Sequence, residues 1–181
     1  MSAAYRLDVL PAQSGPDQHL AHEAAVLGLG RLTDLRRSRY YLLRGELDQG
    51  GLERLGARLL SDPVVERFSL TPPDAQGRRV IEVQRKAGVM DPVEASILKG
   101  ASDLGLRVDL VRCGTRVEVA GASDDELTLL AWKCLANQAI EEVAIDPLEA
   151  VRLRAPGGAS HQVRTEVRRP RPSTAASWAR C

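Results

Sequence analysis

The chain has 181 residues, a formal net charge of +1 and 44% hydrophobic residues, enough for one sizeable domain or two small ones with a genuine core. Only six residues are aromatic, so that core must be mostly aliphatic, and few rings are on offer for stacking bases, which counts against single-strand nucleic-acid binding. The near-neutral charge hides an asymmetry: residues 150–181 hold seven Arg and one Glu, leaving a mildly acidic body and a strongly basic tail.

Three cysteines without a Cys-x-x-Cys pair suggest neither a disulfide framework nor a structural zinc site, and fit a reducing compartment. No apolar run approaches membrane-spanning length, and the opening Met-Ser-Ala-Ala-Tyr has no signal-peptide pattern. The expectation is a cytoplasmic protein with no membrane partner.

Tyr5 to Leu10 alternates apolar and polar residues, as a half-buried strand does, and Pro11 with Ser14-Gly15-Pro16 closes it. Asp17 can cap a helix whose inner stripe is Leu20, Ala24 and Leu27, ended by Gly28 and Gly30. Leu32 to Arg37 and Tyr40 to Leu43 read as two strands joined by a tight turn near Ser38. Asp48 can cap a second helix with the stripe Leu52, Leu55, Leu59 and Leu60, terminated by Asp62-Pro63, before a short closing strand between Val64 and Leu70.

After the turn-rich Thr71 to Gly77 the order recurs. Val80-Ile81-Glu82-Val83 is a β-branched run, Gly88 breaks it, and Asp91-Pro92 supplies a cap and a first-turn proline. Val93, Ile97, Ala101 and Leu104 form one helical stripe, stopped by Gly105. A strand then ends at Arg112, Cys113-Gly114-Thr115 reads as a turn, and Arg116 to Val119 alternates as a return strand. Leu27-Gly28-Leu29 matches Leu104-Gly105-Leu106, Arg36 matches Arg112, and Leu52, Leu55, Leu59 and Leu60 match Leu127, Leu130, Cys134 and Leu135. The expected fold is α+β, two tandem β-α-β-β-α-β copies over 4–70 and 80–146 joined by a 71–79 linker and packed as a pseudo-symmetric pair. Residues 147–181, with Pro156-Gly157-Gly158 and Arg168-Arg169-Pro170-Arg171-Pro172, offer no apolar period and are expected to be disordered; a polybasic arm for nucleic acid is the alternative.

Compact catalytic signatures are missing. His19, His22 and Glu23 share a helix face that could hold a metal edge-on, but no further ligand is close in sequence, and a solvated face is expected. Cys134 sits on an inner stripe as a small core residue, whereas Cys113 stands next to Arg112 and Arg116, where a thiolate could be stabilised, without a histidine to make it a nucleophile. No catalytic, cofactor-binding or metal residue is therefore expected. A partner surface is expected at Arg36 and Arg39 in one copy, Arg112 and Arg116 in the other, Gly88 and Asp91 at the strand-helix turn, and Trp132, which lies off the helix stripe and suggests an assembly contact or self-association.

The run Gly88-Val89-Met90-Asp91-Pro92, the helix end Leu104-Gly105, and Val111-Arg112-Cys113-Gly114-Thr115 resemble the PurS subunit of phosphoribosylformylglycinamidine synthase; Leu59-Leu60-Ser61-Asp62-Pro63-Val64-Val65-Glu66 is similar to that family's Leu-Leu-x-Asn-Pro-Val-Ile-Glu ending. The likeness covers residues 4–145 as a tandem, and extends to the PurS-like opening domain of the large single-chain synthetases. It implies ferredoxin-like halves and a non-catalytic subunit of purine biosynthesis that bridges a glutaminase and an ATP-dependent synthetase as ammonia passes between them. ATP, Mg and glutamine would be used by the complex, with none bound by this chain. Two rivals remain: an ACT-like regulatory module binding an amino acid near Gly88, and nucleic-acid binding through the basic tail.

Overall fold

The computed structural model describes residues 3–147; the arginine-rich stretch expected to be disordered falls almost wholly outside them. The elements run β1 (Ala3–Pro11), α1 (Gln18–Val26), β2 (Leu35–Glu46), α2 (Gln49–Leu55), β3 (Glu66–Ser69), β4 (Arg79–Arg85), α3 (Pro92–Asp103), β5 (Arg107–Val119), α4 (Asp124–Leu130) and β6 (Glu141–Ile145). Short π-helical segments, Gly56–Leu60 and Ala131–Leu135, extend α2 and α4. Every helix starts on a side-chain cap: Asp17, Asp48 and Asp91 accept from Leu20, Gly51 and Val93, and Ser123 forms a reciprocal box with Glu126.

All six strands pair antiparallel in the order β3-β1-β2-β5-β4-β6. Each half is therefore β-α-β-α-β. The two hairpins expected from the sequence do not form, because β2 and β5 each run straight through the supposed turn. The small residues there make room rather than bends. Ser38 lies opposite Arg116 and Gly114 opposite Tyr40, so a small residue faces a large one on each side of the central Arg39·Thr115 pair. A Cβ on Gly114 would stand 2.2 Å from Tyr40 Cζ.

That ladder is also a centre of pseudo-twofold symmetry. Exchanging its two strands carries Ser38 onto Gly114 and Tyr40 onto Arg116. By register the Asp8·Tyr40 pair then corresponds to Glu82·Arg116, and Asp8·Ser69 to Glu82·Ala144. By the same register Arg37 corresponds to Cys113, Arg39 to Thr115 and Glu66 to Glu141, while the first-helix caps Asp17 and Asp91 correspond.

Both hydrophobic clusters lie on one face of the sheet, on the odd-numbered positions of β2 and β5. Leu20 and Ala24 of α1 pack with Leu127 and Leu130 of α4 over Ile81, Val83 and Val117. Leu52 and Leu55 of α2 pack with Ile97 and Ala101 of α3 over Leu7, Val9 and Val111. Each half thus lends its first helix to the other. Tyr40 is buried, so its ring has nowhere to retreat. Gly114→Ala is expected to lower stability by about 1–3 kcal/mol in urea unfolding through overpacking; a variant as stable as the parent would mean that the strand is not continuous here.

Candidate functional site

The face of the sheet away from the helices holds charges where solvent would be expected. Arg6, Asp8, Glu82, Arg116 and Glu118 are all buried. Arg6 Nε and Nη2 donate to both oxygens of Asp8 at 2.8 and 2.7 Å, and Nη2 also donates to Glu82 at 2.9 Å. Arg116 donates to the same Glu82 oxygen at 3.3 Å, to Glu118 at 3.0 and 3.1 Å, and to the carbonyl of Pro73 in the linker at 3.1 Å. Glu82 therefore ties an arginine of the first half to one of the second. Burial opposes the Arg6 charge, but hydrogen bonds to Asp8 and Glu82 outweigh it and hold the guanidinium charged above its usual range. Arg6 also lies 4.3 Å over the Tyr40 ring, whose hydroxyl is pushed well above the ordinary tyrosine range by burial and then by Glu82.

Arg116, expected on a partner surface, is thus an interior residue with 1% of its side chain exposed. Its alternation in the strand gave no sign of this, because polar residues on one parity read as a wet face. Leaving a member of such a network unpaired costs about 3–5 kcal/mol, so within this chain these residues join the halves.

On the helix side, between the two helix pairs, a cleft of about 260 Å³ opens next to the central strand pair, with Arg39, Asp91, Cys113, Thr115, Leu135 and Glu141 among its lining residues. Asp91 is held from two sides, since its Oδ1 caps Val93 at 3.0 Å and Arg85 Nε stands 3.8 Å from Oδ2, and its charge acts on the neighbouring Cys113 thiol. Burial, then the Asp91 and Glu94 carboxylates, push that thiol up to about 12 against a smaller opposing pull from Arg85. Cys113 is a strand residue and not a turn residue, and its surroundings disfavour the thiolate that flanking arginines had suggested. Arg112 points its Cα position to the opposite face, as strand alternation requires.

The remaining candidates are dispersed. Arg36 donates to Asp34 at 3.0 Å beside the linker, where hydrogen bonds from Arg78 and Arg36 keep the Asp34 carboxyl below the usual range. Arg39 grips both oxygens of Glu66 at 2.6 and 2.8 Å. Gly88 occupies an exposed turn at φ +86°, a conformation that favours glycine. Trp132 is half-buried. Of the seven residues, the cleft unites only Arg39 and Asp91; Cys113, Thr115 and Glu141, which complete it, carry no spacing signal because they come from two strands whose pairing the sequence does not state. Among the described residues no group of three or more His, Cys, Asp or Glu is placed to hold a metal ion, and no helix is long and apolar enough to cross a membrane.

Residues 78–149 match the family model PurS, described as phosphoribosylformylglycinamidine (FGAM) synthase. The match is consistent with a PurS-type domain over residues 78–149. No curated protein matches the chain. The PurS match spans β4, α3, β5, α4 and β6, and so includes the cleft residues Asp91, Cys113, Thr115 and Glu141. It ties the domain to FGAM synthase and purine biosynthesis.

With a thiol pKa moved from about 9 to about 12, the thiolate population at pH 8 falls about a thousandfold. Alkylation of Cys113 in the folded protein at pH 8, followed by peptide mass mapping, is expected to be at least about a hundredfold slower than in urea. Equal rates would contradict the burial and the carboxylate field around the thiol.

Proposed function

We propose that the chain is a non-catalytic assembly subunit of FGAM synthase, holding a glutaminase and an ATP-dependent synthetase together while ammonia passes from one to the other. The PurS match over residues 78–149 carries this reading. The geometry supports it: a twofold-related pair of surfaces on a single chain suits a scaffold contacting more than one neighbour. ATP, Mg and glutamine would belong to the partner subunits. The continuous central ladder and the interlocked ion network give a rigid body on which such partners can be positioned.

In a reconstitution with purified glutaminase and synthetase subunits, omitting this chain is expected to abolish glutamine-dependent FGAM formation while sparing the reaction driven by free ammonia. The chain is also expected to co-purify with both. An undiminished glutamine-dependent rate without it would overturn the proposal.

A further inference from the structure

The pseudo-twofold relation shows what the cleft beside Asp91 is missing. In the first half, Arg37 reaches from β2 to within 3.1 Å of the cap Asp17, and Arg39 binds Glu66 through both carboxylate oxygens. Two carboxylates, at a helix start and at a sheet-edge strand, each meet a guanidinium supplied by the central strand. In the second half the carboxylates are kept, as Asp91 and Glu141, but β5 places Cys113 and Thr115 where β2 has its two arginines. Those shorter side chains leave a cleft of about 260 Å³, and both carboxylates line it.

The charged groups lining this space are Asp91, the cap of α3, Glu141 of β6, Arg85 of β4, and Arg39 of β2, which is already engaged by Glu66; Glu94 lies near enough to act on the Cys113 thiol but does not line the cleft. With Arg39 bound to Glu66, the two lining carboxylates face one other guanidinium, that of Arg85. Asp91 is also the most buried of its acids, at 7% exposure, and its nearest cation, Arg85, stands at 3.8 Å, outside hydrogen-bond range. Val93 and Leu135 offer apolar wall for the stem of a long side chain.

We propose that this cleft receives an arginine side chain from a partner protein, which supplies to Asp91 and Glu141 the guanidinium that Arg37 and Arg39 supply to Asp17 and Glu66. A planar guanidinium fits two carboxylate acceptors better than an ammonium does. The inference extends the assembly reading, since it names the chemistry of one contact, yet it concerns the isolated chain and can fail while that reading stands.

The test is titration of the full chain with acetyl-Gly-Arg-Gly-amide, followed by amide NMR shifts, with acetyl-Gly-Glu-Gly-amide as the control. Saturable shifts at Val93, Cys113, Thr115 and Leu135 are expected with the arginine peptide alone. Cys113→Arg, which would fill the cleft from within as Arg37 does on the other side, is expected to abolish them. Asp91→Asn with Glu141→Gln keeps an acceptor for Val93 N–H and for Asn137 N–H while removing both charges, and is expected to weaken binding at least about fivefold. The double variant decides the matter if Cys113→Arg does not fold. Equal shifts with the glutamate peptide, unchanged binding in the double variant, or no saturable shift in the parent would each overturn the proposal.

Discussion

Twelve paired positions between β2 and β5 are the constraint from which the remaining architecture follows. Because the strands are antiparallel and centred on Arg39·Thr115, each must run beneath both helix pairs. Leu35 contributes to one hydrophobic cluster while Tyr41 and Leu43, farther along the same strand, contribute to the other. The helices follow suit, α1 crossing to cover β4 and α3 crossing to cover β1. Neither half encloses a core of its own, and cutting the chain at the linker would strip a helix from each cluster.

The opposite face explains how the register is kept. A slip of one residue would turn every side chain of a strand to the other face, placing Arg6 or Glu82 among leucines. The network Arg6–Glu82–Arg116 crosses from β1 to β4 and β5, so a slip of any of these strands would break its hydrogen bonds. Burying three carboxylates against two guanidinium groups is a poor way to gain net stability, since desolvation consumes most of the attraction. Its value here lies in penalising alternative alignments of two similar halves.

Much of this was legible beforehand. The caps at Asp17, Asp48 and Asp91, the stripes through Leu20, Leu52 and Ile97, and the recurrence of elements after Gly77 all rest on local rules that tertiary contacts left in force. The hairpins failed for a nonlocal reason: Ser38 and Gly114 looked like turn formers, but their smallness answers Arg116 and Tyr40 on a neighbouring strand more than seventy residues away. The candidate site was half visible. Asp91 stood out as a cap, whereas Glu141 and Thr115 join it only once β4 is paired on both sides. Arg116 was misplaced because strand alternation distinguishes two faces without saying which is covered.

Halves joined by a shared central ladder and exchanged helices should behave as one piece. Native-state hydrogen exchange in graded urea tests this most directly, by comparing amides of β1 such as Leu7 with amides of β4 such as Val83. If the shared central strands and exchanged helices bind the halves together, both sets should exchange with the same opening free energy and the same urea dependence. If β1 opens at lower urea with a smaller dependence than β4, the halves are separable units and the interlocked arrangement is contradicted.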